Sequence, residues 1–148
     1  MAELNALDSS VETIIMDVNG CVDQSFTVLN LTRFVNLKML EIGNYSFTYV
    51  KEVYMTGLSK LESVIIGSES FRVMDSVYAD RDKLQFHLRD CGALRELKIG
   101  IECFYQYGVC EIDNLPSLET IVIGDMRAWG RNFAYASLEL KSESEKRE

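Results

Sequence analysis

The sequence predicts a mainly β solenoid of about five stacked coils, each with two short parallel strands. Three observations predict it. One phrase is written four times, as Leu37-x-x-Leu40-x-Ile42-Gly43, Leu61-x-x-Val64-x-Ile66-Gly67, Leu94-x-x-Leu97-x-Ile99-Gly100 and Leu118-x-x-Ile121-x-Ile123-Gly124. The anchors Val11, Leu37, Leu61, Leu94 and Leu118 stand 26, 24, 33 and 24 residues apart. Periods in the twenties belong to stacked repeats. Lastly, pairs alternating at period two precede each anchor: Leu29/Leu31, Val53/Met55, Phe86/Leu88 and Cys110/Ile112, with Leu138/Leu140 closing the series. Period two marks a half-buried strand.

Residues 1–10 form a lead-in, in which Leu4 and Leu7 cover the first coil only partly. The solenoid spans 11–140, with coils starting near 11, 37, 61, 94 and 118. Phe34, Leu58, Cys91 and Leu115 each stand three residues before an anchor and point inward. A polar tail, 141–148, is expected to fray. Stacking gives two parallel sheets facing across an apolar core roughly 10 Å thick. No apolar stripe at helical spacing is long enough for a covering helix, although a short helical turn fits at 71–74. The recurring glycines end the first strand of each coil, which calls for positive φ or for close packing of successive coils.

The first copy reads Val11-x-x-Ile14-x-Met16-x-x-Asn19-x-Cys21. It resembles the LxxLxLxx(N/C)xL pattern of leucine-rich repeat proteins. Ser46-Phe47, Ser70-Phe71 and Cys103-Phe104 follow the later strands. That pairing resembles the irregular microbial and protist kind, including the BspA-like proteins. The resemblance covers roughly 11–140, and it implies protein binding on the concave strand face. The chain departs from the pattern at the asparagine position, which holds Tyr45, Glu69 and Glu102. Without an asparagine ladder, those turns must satisfy their backbone groups in another way.

The step of 33 residues holds an insertion at 76–84, which includes Tyr78, Asp80 and Arg81. An insertion in one coil emerges as a loop, either a binding loop or a tolerated one. In the fifth coil, Trp129 or Phe133 stands in for the missing phenylalanine.

The chain has 148 residues and a net charge of −8, from 23 acidic and 15 basic residues. That balance argues against phosphate-backbone binding. No apolar run approaches the ~20 residues that span a bilayer. The cysteines show no metal-ligand spacing and read as reduced thiols, which favours the cytoplasm. Cys21, Cys91 and Cys110 fill core columns, and Cys103 fills the column of Ser46 and Ser70. If the chain is a piece of a secreted protein, the sequons at Asn30 and Asn44 carry glycan and the compartment is extracellular. The single histidine, His87, points outward beside Asn30, Tyr54 and Glu111, so a His-rich zinc site is excluded. Tyrosine rings, such as Tyr105 and Tyr107, are expected to cover the turn edge with their hydroxyls in water. No cofactor is called for, and no catalytic group has a partner.

The residues that the repeat leaves free are the candidates for contact. Ile15, Glu41, Ile65, Lys98 and Val122 line one outward column, with Met39 and Glu96 in the next. An exposed apolar line with a charged rim is a contact signature. The expected function is a non-catalytic repeat module that presents this face and the 76–84 loop to a protein. The alternative is an assembly subunit that packs end to end through an exposed coil.

Overall fold

The computed structural model describes residues 2–73, 83–124, 132–133 and 137–141. It is mainly β, with one helix among the described residues, α1 (Ala2–Asn5). The strands are β1 (Thr13–Met16), β2 (Val28–Asn30), β3 (Met39–Ile42), β4 (Glu52–Thr56), β5 (Ser63–Ile66), β6 (Gln85–Arg89), β7 (Glu96–Ile99), β8 (Val109–Asp113), β9 (Thr120–Ile123) and β10 (Ser137–Lys141). Odd strands form one five-stranded sheet, β1-β3-β5-β7-β9, and even strands form the other, β10-β8-β6-β4-β2. Each copy of the repeat therefore makes one circuit, with one strand in each sheet.

All the ladders are parallel. In the first sheet Thr13, Met39, Ser63, Glu96 and Thr120 pair in succession. These intervals equal those between the anchors, so the repeat sets the register. A slip of one residue would turn Leu40, Val64 and Leu97 out to solvent.

Inward residues of both sheets join one apolar cluster. Leu40, Ile42, Val64, Ile66, Leu97 and Ile99 come from the first sheet, and Leu29, Val53, Met55, Phe86, Leu88, Cys110 and Ile112 from the second. Phe34, Leu58, Cys91 and Leu115 close it at one edge. The last copy departs from the pattern. Ile121 is 39% exposed, and Leu118 and Ile123 are half-buried. The reason is position: among the described strands β9 has a ladder partner on one side only, β7.

The turn after each first-sheet strand shows what replaces an asparagine ladder. The residues on both sides of the Ser or Cys are left-handed: Tyr45 and Phe47, Glu69 and Phe71, Glu102 and Phe104, with φ between 54° and 58°. Their N–H groups point to the neighbouring circuits. Tyr45 N donates to Ser68 O at 3.0 Å, and Glu69 N to Ile101 O at 2.8 Å. Phe47 N donates to Gly20 O at 3.0 Å, and Phe71 N to Ser46 O at 2.9 Å. The buried side chains between them reach back one circuit. Ser46 Oγ donates to Asp17 O at 3.3 Å, Ser70 Oγ to Gly43 O at 2.9 Å, and Cys103 Sγ to Gly67 O at 3.0 Å. Asn132 Nδ2 continues the series on Gly100 O.

Beneath this turn runs a phenylalanine column. Phe47 and Phe71 stack at 5.0 Å, Phe71 and Phe104 at 4.6 Å, and Phe104 and Phe133 at 5.0 Å. Phe133 is thus the phenylalanine of the last circuit; Trp129 lies outside the described residues. In the first circuit Cys21 takes the left-handed backbone of Phe47, but Phe26 supplies the ring, 6.1 Å from Phe47. Each stacked pair contributes about 0.5–1.5 kcal/mol beyond its buried area. The helical turn expected at 71–74 extends beyond the described residues; the corresponding stretch Phe104–Tyr107 holds one turn bond, Tyr107 N to Phe104 O, and no helix.

Gly43, Gly67 and Gly100 serve close packing. A Cβ on Gly67 would lie 2.6 Å from Asn44 N and 2.7 Å from Gly43 C, which are backbone atoms of the previous circuit. Gly124 instead has φ 66°.

The root of the insertion is pinned from the next circuit. Gln106 Oε1 accepts from Val73 N at 3.2 Å and its Nε2 donates to Val73 O at 3.0 Å. Tyr107 corrects the expectation of wet hydroxyls. It is fully buried, and its hydroxyl donates to Val50 O at 2.6 Å, two circuits away. Burial pushes its phenol well above the usual range. Tyr78, Asp80 and Arg81 lie outside the described residues.

Gly67→Ala is expected to destabilise the fold by about 1–3 kcal/mol, because the backbone facing it cannot yield. Gly92→Ala, with open space around its Cβ position, is expected to be near neutral. Urea denaturation of both variants checks this. Tyr107→Phe leaves Val50 O buried and unpaired, at an expected cost of roughly 1–3 kcal/mol in the same assay.

Candidate functional site

The odd strands aim alternate side chains away from the core, so outward residues of successive circuits fall into columns. One column reads Ile15, Glu41, Ile65, Lys98, Val122, and the next reads Thr13, Met39, Ser63, Glu96, Thr120. The structure therefore brings Ile15, Met39, Glu41, Ile65, Glu96, Lys98 and Val122 onto one face. The residue before each strand adds a third column, Glu12, Lys38, Glu62, Arg95, Glu119. Its signs alternate. Lys38 Nζ lies 3.3 Å from Glu12 Oε1, and Arg95 donates to Glu119 Oε2 at 3.2 Å.

This face is not a continuous apolar stripe. Ile15 is 65% exposed and Met39 40%, whereas Ile65 is half-buried. The middle is polar: Lys98 Nζ lies 2.7 Å from Glu96 Oε1, and Ser63 Oγ donates to Glu96 Oε2 at 3.1 Å. The Lys98 and Ser63 hydrogen bonds hold the Glu96 carboxyl below its usual range. An exposed apolar residue returns on this face at Val122.

The larger apolar exposure lies on the first circuit. Ile15, Val18, Val22, Val28 and Val35 are five of the nine large hydrophobic residues exposed among the described ones. The columns carry a signal for this. Val28 pairs with Glu52 and Glu52 with Gln85, so valine stands where the next two circuits are polar. At this end α1 covers the core in part. Leu4 is buried and Leu7 half-buried. Arg33 holds α1 in place by donating to Leu4 O at 2.9 Å and Leu7 O at 2.7 Å, with its guanidinium 4.1 Å from the Phe34 ring centroid. A recess of about 340 Å³ remains beside Leu4, Leu7, Ile14, Ile15, Met16 and Cys21.

The outward face of the second sheet carries a polar network. Tyr54 and His87 stack at 5.3 Å. His87 Nδ1 lies 3.2 Å from Glu111 Oε1, and Nε2 lies 3.0 Å from Gln85 Oε1. Tyr54 Oη donates to Glu52 Oε1 at 2.9 Å, which raises its phenol above the usual range. Arg89 donates to Glu111 Oε1 at 3.3 Å. Each imidazole nitrogen thus lies within hydrogen-bond distance of an oxygen on the same sheet, and a neutral ring donates to one of the two. The repeat places His87 in one column with Tyr54 and Glu111, as expected; the contacts with Gln85 and Arg89 were not read from it, because their reach depends on rotamers.

The four thiols are free. Cys91, Cys103 and Cys110 are buried, as core and turn positions require; Cys21 is only half-buried. Burial pushes the Cys103 and Cys110 thiols up to about 12. Among the described residues, no three His, Cys, Asp or Glu side chains gather to hold a metal ion, and no helix is long and apolar enough to cross a membrane.

No family model matches the chain, and no curated protein or solved structure matches it.

At pH 8 a thiol titrating near 12 is thiolate in only about one molecule in ten thousand. Ellman's reagent at pH 8 is therefore expected to modify Cys21 first. Cys103 and Cys110 are expected to react only on unfolding or as the pH rises toward 12. Thiol counting with and without urea checks the order.

Proposed function

We propose that the chain is a right-handed solenoid of the leucine-rich repeat type, of about five coils, and a non-catalytic module that binds protein. The single observation that carries this reading is the register. It sets Ile15 and Met39, both exposed, as diagonal neighbours on β1 and β3, with Glu41 and the Lys38–Glu12 pair beside them. An apolar centre with a charged rim is how contact surfaces are built. The free thiols suit a reducing compartment such as the cytoplasm. The polar groups on both faces pair with each other rather than converge on a reacting atom, which speaks for binding over catalysis.

The second reading, an assembly subunit engaged through its first coil, is favoured by the five exposed hydrophobics there. Such area on one end of a stacked array is where a further element packs.

The double variant Ile15→Glu, Met39→Glu is expected to lose about ten-fold in capture of its protein partner, with its thermal midpoint within about 2 °C of the parent. Unchanged capture would sink the face as the contact.

A further inference from the structure

We infer that the open edge of β1 receives an extended segment of another chain that is apolar at its centre and basic at both ends. The inference rests on the second reading, that the first coil is engaged.

Three features specify the occupant. Among the described strands β1 has a ladder partner on one side only, β3. An exposed edge strand is a template for one more strand. The recess beside it is preformed and lined mainly by apolar side chains, with Asp17 at its wall. Its far wall, Leu4 and Leu7, is held by the Arg33 bonds to their carbonyls. A side chain entering there would meet Ile14, Ile15 and Met16.

Charge then selects the partner. β1 is flanked by Glu12 and Asp17, both exposed, and Asp17 also lines the recess. The column Glu12, Lys38, Glu62, Arg95, Glu119 alternates in sign, so a strand added before Glu12 continues it with a basic residue. A second copy of this chain fits poorly in either direction. Stacked head to tail, it would set its Glu119 beside Glu12. Paired antiparallel about the centre of β1, it would set its Asp17 opposite Glu12. Like charges directly opposite on neighbouring strands are destabilising.

The test uses the full chain labelled with nitrogen-15 and two hexapeptides, Lys-Thr-Ile-Val-Thr-Lys and Glu-Thr-Ile-Val-Thr-Glu, in amide shift titrations. The lysine peptide is expected to move the amides of residues 12–17 and to bind roughly five-fold tighter than its counterpart, since exposed ion pairs are individually modest. That preference is expected to vanish in Glu12→Gln, Asp17→Asn and to shrink as salt rises. Equal binding of both peptides at 12–17 would overturn the basic partner while leaving the engaged end in place. No shift at 12–17 with either peptide would overturn both. Concentration-dependent dimerisation of the chain alone, abolished by Ile15→Glu, would make the occupant a second copy and overturn the inference.

Discussion

The structure depends on a backbone that cannot complete its own hydrogen bonds within one circuit. The turns after β1, β3, β5 and β7 each carry two left-handed residues, and the N–H groups of Asn19, Tyr45, Phe47, Glu69, Phe71 and Phe104 donate to carbonyls of adjacent circuits. Buried backbone groups left without partners cost about as much as lost hydrogen bonds. So the turn is stable only when stacked. The side chain between the left-handed residues reaches a carbonyl one circuit back, and the hydroxyls of Ser46 and Ser70 also accept an N–H there. The group that reaches the carbonyl is a hydroxyl at Ser46 and Ser70, a thiol at Cys103 and an amide at Asn132. Glycine must stand at 43, 67 and 100, because the circuits approach until a Cβ would strike backbone. The phenylalanine column and the register of both sheets follow from that spacing.

Most of this architecture was legible in the sequence. Inward positions repeat, and repetition needs no rotamer to be read. The interval from Val11 to Leu37 predicted the pairing of Thr13 with Met39, and the interval from Leu61 to Leu94 predicted that of Ser63 with Glu96. Positions that vary between copies were less legible. Tyr107 sits beside Phe104 like an edge residue, yet it is buried, with its ring edge-on to Phe104 and its hydroxyl on Val50 O. Ile121 sits at a core position, yet it is exposed, because periodicity does not say where stacking stops.

The candidate surface was legible by position and not by environment. Column membership follows from period two, so Ile15, Glu41, Ile65, Lys98 and Val122 were rightly placed together. Their exposure depends on how neighbouring side chains lie over them. Lys98 bends to Glu96, and Ile65 is half covered. The exposed Val28 could have been found by comparing columns, because the next two circuits place Glu52 and Gln85 there.

Tyr107 also has a consequence for how the array behaves as a whole. In a linear stack each unit touches only its neighbours, and stability passes along it one interface at a time. The bond from Tyr107 to Val50 joins the fourth circuit to the second and passes over the third. The circuit with the irregular insertion is thus bracketed by a brace that does not run through it. A chain that could melt from its weakest link is given a reason to melt all at once.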